Sequence, residues 1–117
     1  MTLQDCYAAM NGNYDEVLGR LRSERLIHKF VLKFLADGSY ELLQRSLAEG
    51  NQAEAFRAAH TLKGVCQNLG ITQLGDSSSR LTETLRANGT PPQELLAEVT
   101  RDYNQTVQAI RAFEAEL

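Results

Sequence analysis

One histidine in the sequence has neighbours that suit nucleophilic chemistry. His60 is followed three residues later by Lys63 and then by Gly64. Positions three and four apart lie one turn apart on a helix, so these residues share one side of it. A neutral imidazole is nucleophilic near pH 7, and a nearby ammonium stabilises negative charge that develops on a group attached to the ring. The spacing therefore indicates a nitrogen nucleophile with a cation beside it.

Gly64 is an unfavourable residue for the interior of a helix. A glycine inside a helix costs roughly 1 kcal/mol relative to alanine. His60 lies roughly 160° around the helix axis from Leu62, so the histidine is predicted to point to solvent, and Gly64 shares this outer side. We interpret the missing side chain as clearance for a second molecule that approaches the histidine. Arg57, one turn before His60, would add to the positive field.

A single surface histidine is more often a solvated residue without a role, and the same holds for a single surface lysine. The functional interpretation depends on the conjunction of His60, Lys63 and Gly64. The other histidine, His28, is followed by Lys29 and Lys33 and belongs to no known motif, and we assign it to the solvated or satisfied class.

The helix that must position these residues is predicted to begin behind Asn51 as N-cap and to end near Leu69, with Gly70 as the stop signal. Its apolar residues recur at helical spacing and predict a core-facing stripe. The stripe consists of Ala55, Ala59, Leu62, Cys66 and Leu69, flanked by Ala58 and Val65.

The rest of the chain also has helical periodicity. Short segments are predicted over 3–10 and 15–21, followed by a helix capped by Ser23. The run Asp37–Ser39 either kinks this helix or separates two helices, with Ser39 capping the second. A further helix is predicted from Thr72 to about residue 87, and the last behind Thr90 as N-cap with a proline at its first position. The sequence predicts an all-α, antiparallel four-helix bundle with short additional N-terminal helices, in a single domain over residues 1–117.

Composition and motifs exclude several classes of function. The 117 residues have a net charge of −3, which argues against nucleic acid as the main partner. No export signal and no apolar run of membrane-spanning length is present, and the two cysteines form no paired motif. We therefore expect a cytoplasmic monomer with no membrane association. The zinc-protease, P-loop and serine-hydrolase motifs are absent.

The run AHTLKG, three spacer residues and NLG strongly resembles the signature of histidine phosphotransfer (HPt) domains of phosphorelay signalling. The resemblance implies a four-helix bundle whose exposed histidine takes a phosphoryl group from a receiver-domain aspartyl phosphate and passes it to another receiver aspartate. It assigns His60 as the phosphoacceptor, Lys63 as the residue that stabilises phosphate, and Gly64 as the clearance for docking. The partners would be a response-regulator receiver domain and a histidine kinase or hybrid kinase. The receiver would supply Mg²⁺, so this chain would need no cofactor or metal of its own and would be a carrier rather than an enzyme.

The sequence departs from the family pattern between the two halves of the signature, where relatives have small residues and this chain has Val65, Cys66 and Gln67. Gln67 is a candidate to hydrogen bond to the imidazole or phosphate, or to select the receiver. Some relatives place a polar residue on the next helix, for which Thr82 and Arg86 are the candidates here. A non-catalytic helical module that docks receivers or kinases is the alternative function. A general-base enzyme ranks third, because it would need a concave pocket and a second polar group.

Overall fold

The computed structural model describes residues 1–117 and contains seven α-helices and no strand, which confirms the all-α prediction. In chain order the helices are α1 (Leu3–Ala9), α2 (Tyr14–Leu21), α3 (Glu24–Phe34), α4 (Ser39–Ala48), α5 (Gln52–Leu69), α6 (Thr72–Arg86) and α7 (Gln93–Ala115). None of these helices combines the length and the apolar composition that a membrane span requires.

Helices α4 to α7 form the predicted antiparallel four-helix bundle, with the three N-terminal helices α1 to α3 packed against it. The connections at 49–51, 70–71 and 87–92 are short, which makes consecutive helices antiparallel neighbours. Helix α5 packs between α4 and α6, and α6 packs on α7. The Tyr40 ring of α4 stacks on Tyr103 of α7 at 3.8 Å between centroids, and the Tyr40 hydroxyl donates to Thr100 Oγ1 at 3.0 Å. These contacts close the bundle between its first and last helices.

The core is one cluster of 23 buried hydrophobic residues that extends from Leu3 on α1 to Phe113 on α7. Helix α5 contributes six of its residues to the buried set: Ala55, Ala58, Ala59, Leu62, Cys66 and Leu69. These six include every member of the predicted stripe, and Val65 beside them is half-buried. The helical period of the sequence therefore identified the core side of α5 correctly.

Local capping chemistry explains where several helices begin and end. The Asn51 side chain accepts a hydrogen bond from the backbone N–H of Glu54 at 3.1 Å at the start of α5. Gly70 ends α5 in the left-handed conformation with φ +68°, which glycine adopts without a steric penalty. Ser23 caps α3 by accepting from the N–H of Leu26 at 3.2 Å. All three predicted end signals are confirmed.

Of the two alternatives predicted for residues 37–39, the structure shows the second, two separate helices. The predicted cap is wrong, because Gly38 and not Ser39 occupies the N-cap of α4. Asp37 supplies the side-chain acceptor instead, since its Oδ1 accepts from the Ser39 N–H at 2.9 Å.

The last helix begins later than predicted, because Pro92 and not Thr90 is its N-cap. A residue that precedes a proline is disfavoured in the α conformation, and Pro91 precedes Pro92. This restriction disfavours Pro91 as the first helical residue. Pro92 is extended as well, with ψ 145°, so the helix begins at Gln93.

The two shortest helices fasten the C-terminal end of α5. The Arg20 guanidinium of α2 donates to the carbonyls of both Gln67 and Asn68 at 2.7 Å. The Tyr7 hydroxyl of α1 donates to the Leu69 carbonyl at 2.5 Å, and the backbone N–H of Asn13 donates to the carbonyl of Gly70 at 2.8 Å. Carbonyls in the last turn of a helix have no partner within it. We call these donors, Tyr7, Asn13 and Arg20, the N-terminal clamp.

Candidate functional site

His60 lies on the solvent side of α5, opposite the core stripe, and its side chain is exposed as predicted. The side-chain hydrogen bonds beside it join Arg57 to Glu54 and the Thr61 hydroxyl to the Arg57 carbonyl, and neither involves the imidazole. The ring instead stacks on Phe56, one turn earlier, with 5.9 Å between centroids and 12° between planes. Both imidazole nitrogens therefore remain available for chemistry with an approaching group.

Gly64 faces open space. A Cβ atom built on it would meet no heavy atom within 4 Å. The contrast is with Gly12, where a Cβ would lie 2.7 Å from the Gly70 carbonyl oxygen, and with Gly75, where it would lie 3.2 Å from Cys66 Cβ. Those two glycines are needed for packing within the chain, whereas Gly64 is not. The space left by the missing side chain of Gly64 therefore opens to solvent on the same side of α5 as His60.

The two basic residues flanking His60 on α5 differ in their charge environment. Arg57 forms an ion pair with Glu54, so its charge is partly compensated. None of the ion pairs in the protein involves Lys63, which is half-buried one turn after the histidine. The uncompensated cation next to the imidazole is therefore the lysine.

Gln67 and Arg86, the other two predicted binding residues, make no hydrogen bond to the imidazole. The Gln67 side chain is exposed on the same side of α5 and makes no hydrogen bond, while its backbone carbonyl belongs to the clamped end of the helix. The Arg86 guanidinium of α6 lies 5.0 Å from the centre of the Phe56 ring and pairs with Glu83 at 3.3 Å. Arg86 thus reaches the neighbourhood of the histidine through Phe56.

Thr82 was the other candidate on α6, and that prediction is wrong. Its side chain is fully buried, and its hydroxyl donates to the Ser78 carbonyl one turn earlier at 2.7 Å. Helix α6 is antiparallel to α5 and presents this position to the core, so the hydroxyl cannot reach the surface around His60.

His28 and Cys66 are less accessible than His60. His28 is half-buried and packs edge-on against Phe113 at 5.2 Å between ring centroids. Burial raises the pKa of the Cys66 thiol on α5, which keeps it protonated. The protein contains no group of three or more histidine, cysteine, aspartate or glutamate side chains arranged to hold a metal ion.

Phe56 is the residue at this site that the sequence analysis missed. It lies four residues before His60, which is the spacing that brings two side chains together on a helix. The spacing of four residues could therefore have indicated the contact, but the same spacing also suits an aromatic residue that belongs to the apolar core. Only the half-buried position of Phe56 shows that its ring lies at the margin between core and surface.

Comparison with known proteins gives one positive result. The family model of the Hpt domain matches residues 35–113, which is more than half of the chain and includes α4, α5, α6 and most of α7. Helices α1 to α3 lie outside the matched range. No curated protein and no solved structure matches the chain. With the signature intact and its histidine exposed on the second helix of the bundle, the chain belongs to the Hpt domain family, the phosphotransfer modules of phosphorelay signalling.

Proposed function

We propose that His60 accepts a phosphoryl group from the aspartyl phosphate of a response-regulator receiver domain, or from a histidine kinase or hybrid kinase, and passes it to a receiver aspartate. The observation that supports this most directly is the exposed imidazole, which makes no hydrogen bond to another residue and has Lys63 and the open side of Gly64 beside it. The protein would be a carrier that acts only together with a partner.

The proposed transfer needs one nitrogen lone pair and one leaving group. The Nε2 lone pair of His60 forms a bond to phosphorus while the oxygen–phosphorus bond of the acyl phosphate breaks. The electrons of that bond remain on the departing aspartate carboxylate, and the proton on Nδ1 stays in place. Return transfer to a receiver aspartate reverses these steps. The Lys63 ammonium would stabilise the negative charge on the phosphoryl oxygens, one turn along the helix.

The proposal divides the machinery between two proteins. This chain would supply the nucleophile, the cation and the clearance at Gly64, which lets the receiver bring its aspartate to the imidazole. The receiver would supply Mg²⁺, which neutralises phosphoryl charge during the transfer. We propose that residues 1–117 act as one module of this kind, in the cytoplasm, where the free thiols of Cys6 and Cys66 would remain reduced.

The test is phosphorylation of the purified protein by a receiver domain that carries labelled aspartyl phosphate, in the presence of Mg²⁺. We expect acid-labile, base-stable label on the wild type and none on His60→Gln. The matched control is His28→Gln, which removes the chain's other histidine and should leave labelling unchanged.

Two results would contradict the proposal in different ways. Label that persists on His60→Gln would place the phosphoryl group on another residue. No label on the folded wild type, from a panel of donors that label another HPt protein, would favour the docking-module alternative.

A further inference from the structure

The His60 ring makes one aromatic contact and no hydrogen bond to another residue. The contact is the stacking of the imidazole on the Phe56 ring. The ring separation of 5.9 Å and the 12° tilt fall within the range of favourable offset stacking. A stacked contact restrains the imidazole without occupying either of its nitrogens.

Phe56 is in turn held from the neighbouring helix. The Arg86 guanidinium lies 5.0 Å from the centre of the Phe56 ring, which is within cation–π distance. Arg86 is itself restrained by its ion pair with Glu83 on the same helix, with Nε 3.3 Å from Oε2. A chain of contacts thus runs from α6 through Phe56 to the imidazole.

Phosphoryl transfer requires a particular orientation of the imidazole, which this stacking could provide. A phosphoryl carrier must present one unprotonated nitrogen in line with phosphorus, and a hydrogen bond to that nitrogen would compete with the transfer. A histidine on an exposed helix surface otherwise samples about two χ1 wells and two χ2 orientations, or about four conformers. Stacking on a partly buried ring selects among them.

We propose that Phe56 is a positioning residue that holds the His60 imidazole in the orientation required for transfer, and that Arg86 acts through Phe56 rather than on the phosphoryl group. This inference rests on the proposed function, because it assigns a role in the reaction of His60. It revises the sequence-based assignment of Arg86 as a binding residue.

The first experiment examines the unphosphorylated protein by NMR, so it does not depend on any transfer activity. We expect Phe56→Leu to shift the imidazole proton resonances of His60, because an adjacent aromatic ring current is lost. Phe56→Tyr keeps the ring and should leave those resonances near their wild-type positions. The matched control, Phe30→Leu, removes a half-buried phenylalanine from α3 and should not affect them. Unchanged resonances in Phe56→Leu would overturn the proposal.

The second experiment measures rates with two donors, phosphoramidate as a small molecule and the phosphorylated receiver. If the imidazole samples about four conformers without its restraint, Phe56→Leu should slow both reactions up to about fourfold. The receiver concentration at half-maximal rate should stay unchanged, and Phe56→Tyr should restore the rate. If the wild type is labelled normally and Phe56→Leu reacts at the same rate as the wild type, the positioning role is refuted and the proposed function stays intact. A wild type that no donor labels would instead count against the proposed function.

Arg86→Gln separates positioning from direct binding of phosphate. If Arg86 acts through Phe56, its loss should shift the His60 resonances before any phosphoryl group is present, by less than Phe56→Leu does. If the His60 resonances of Arg86→Gln differ from those of the wild type only after phosphorylation, Arg86 binds the phosphoryl group itself. That result would contradict this part of the proposal.

Discussion

The middle of helix α5 and its C-terminal end differ sharply in how they are held. Around His60 the outer side is open: the imidazole makes no hydrogen bond to another residue, and a Cβ added at Gly64 would meet no heavy atom within 4 Å. At Leu69 and Gly70, nine and ten residues after His60, the backbone is held by the N-terminal clamp. The reactive ring is therefore exposed while the backbone of its helix is held in place by hydrogen bonds. Changes in the open region around His60 should alter transfer, and changes at the clamped end should alter stability.

The largest expected effect is in the open region around His60. His60→Gln should remove phosphoryl acceptance entirely, while the free energy of unfolding changes by no more than about 0.5 kcal/mol, because the side chain is exposed and buries no hydrogen bond. Chemical denaturation of wild type and variant would measure this. A loss of stability well above that value would show that the histidine also supports the fold. Transfer and stability could then not be assigned to separate regions of α5.

Gly12→Ala should produce the largest loss of stability at the clamped end. The added Cβ would lie 2.7 Å from the Gly70 carbonyl oxygen and 2.8 Å from Tyr7 Cδ2. Overpacking of this kind costs about 1–3 kcal/mol. The control is Gly19→Ala in α2, where a Cβ meets nothing within 4 Å and the variant should gain up to about 1 kcal/mol. Equal stabilities for the two variants would show that α1 and α2 are not seated tightly on α5.

Gly64→Gln should slow transfer from a receiver while leaving the fold intact. A docking penalty of about 1.4 kcal/mol corresponds to a tenfold rise in the dissociation constant of the receiver complex. The unfolding free energy should stay the same or rise by a few tenths of a kcal/mol, since glutamine is a better helix former than glycine. The measurements are receiver-binding titrations and thermal denaturation. Unchanged receiver affinity would show that the space beside His60 is not used for docking.

Tyr7→Phe should cost about 1 kcal/mol, the smallest of these effects. The variant removes the donor to the Leu69 carbonyl but keeps the ring in the core. Burial raises the pKa of the Tyr7 phenol, so the hydroxyl is a protonated donor across the ordinary pH range. Denaturation of this variant, with phosphoryl transfer measured alongside, should show lower stability and an unchanged rate. A slowed rate would indicate that the clamp also influences the region around His60.

Much of α5 followed from the sequence because the relevant physics is local. The core stripe, the solvent-facing position of His60 and the end signals Asn51 and Gly70 depend on helical periodicity and on contacts within four residues. The start of α7 was misplaced, although the cause is also local, because two consecutive prolines restrict the first of them.

Long-range contacts decided what local patterns left open. Arg20 lies 47 residues before Gln67, and no spacing rule relates a residue in α2 to the last turn of α5. The burial of Thr82 and the approach of Arg86 to Phe56 likewise depend on how α6 is rotated against α5. The sequence alone determined which residue faces solvent with a cation and a cleared space beside it, because a single helix sets those relations. Only the tertiary structure decided what restrains that residue and what fastens its helix, because those contacts join elements that packing alone brings together.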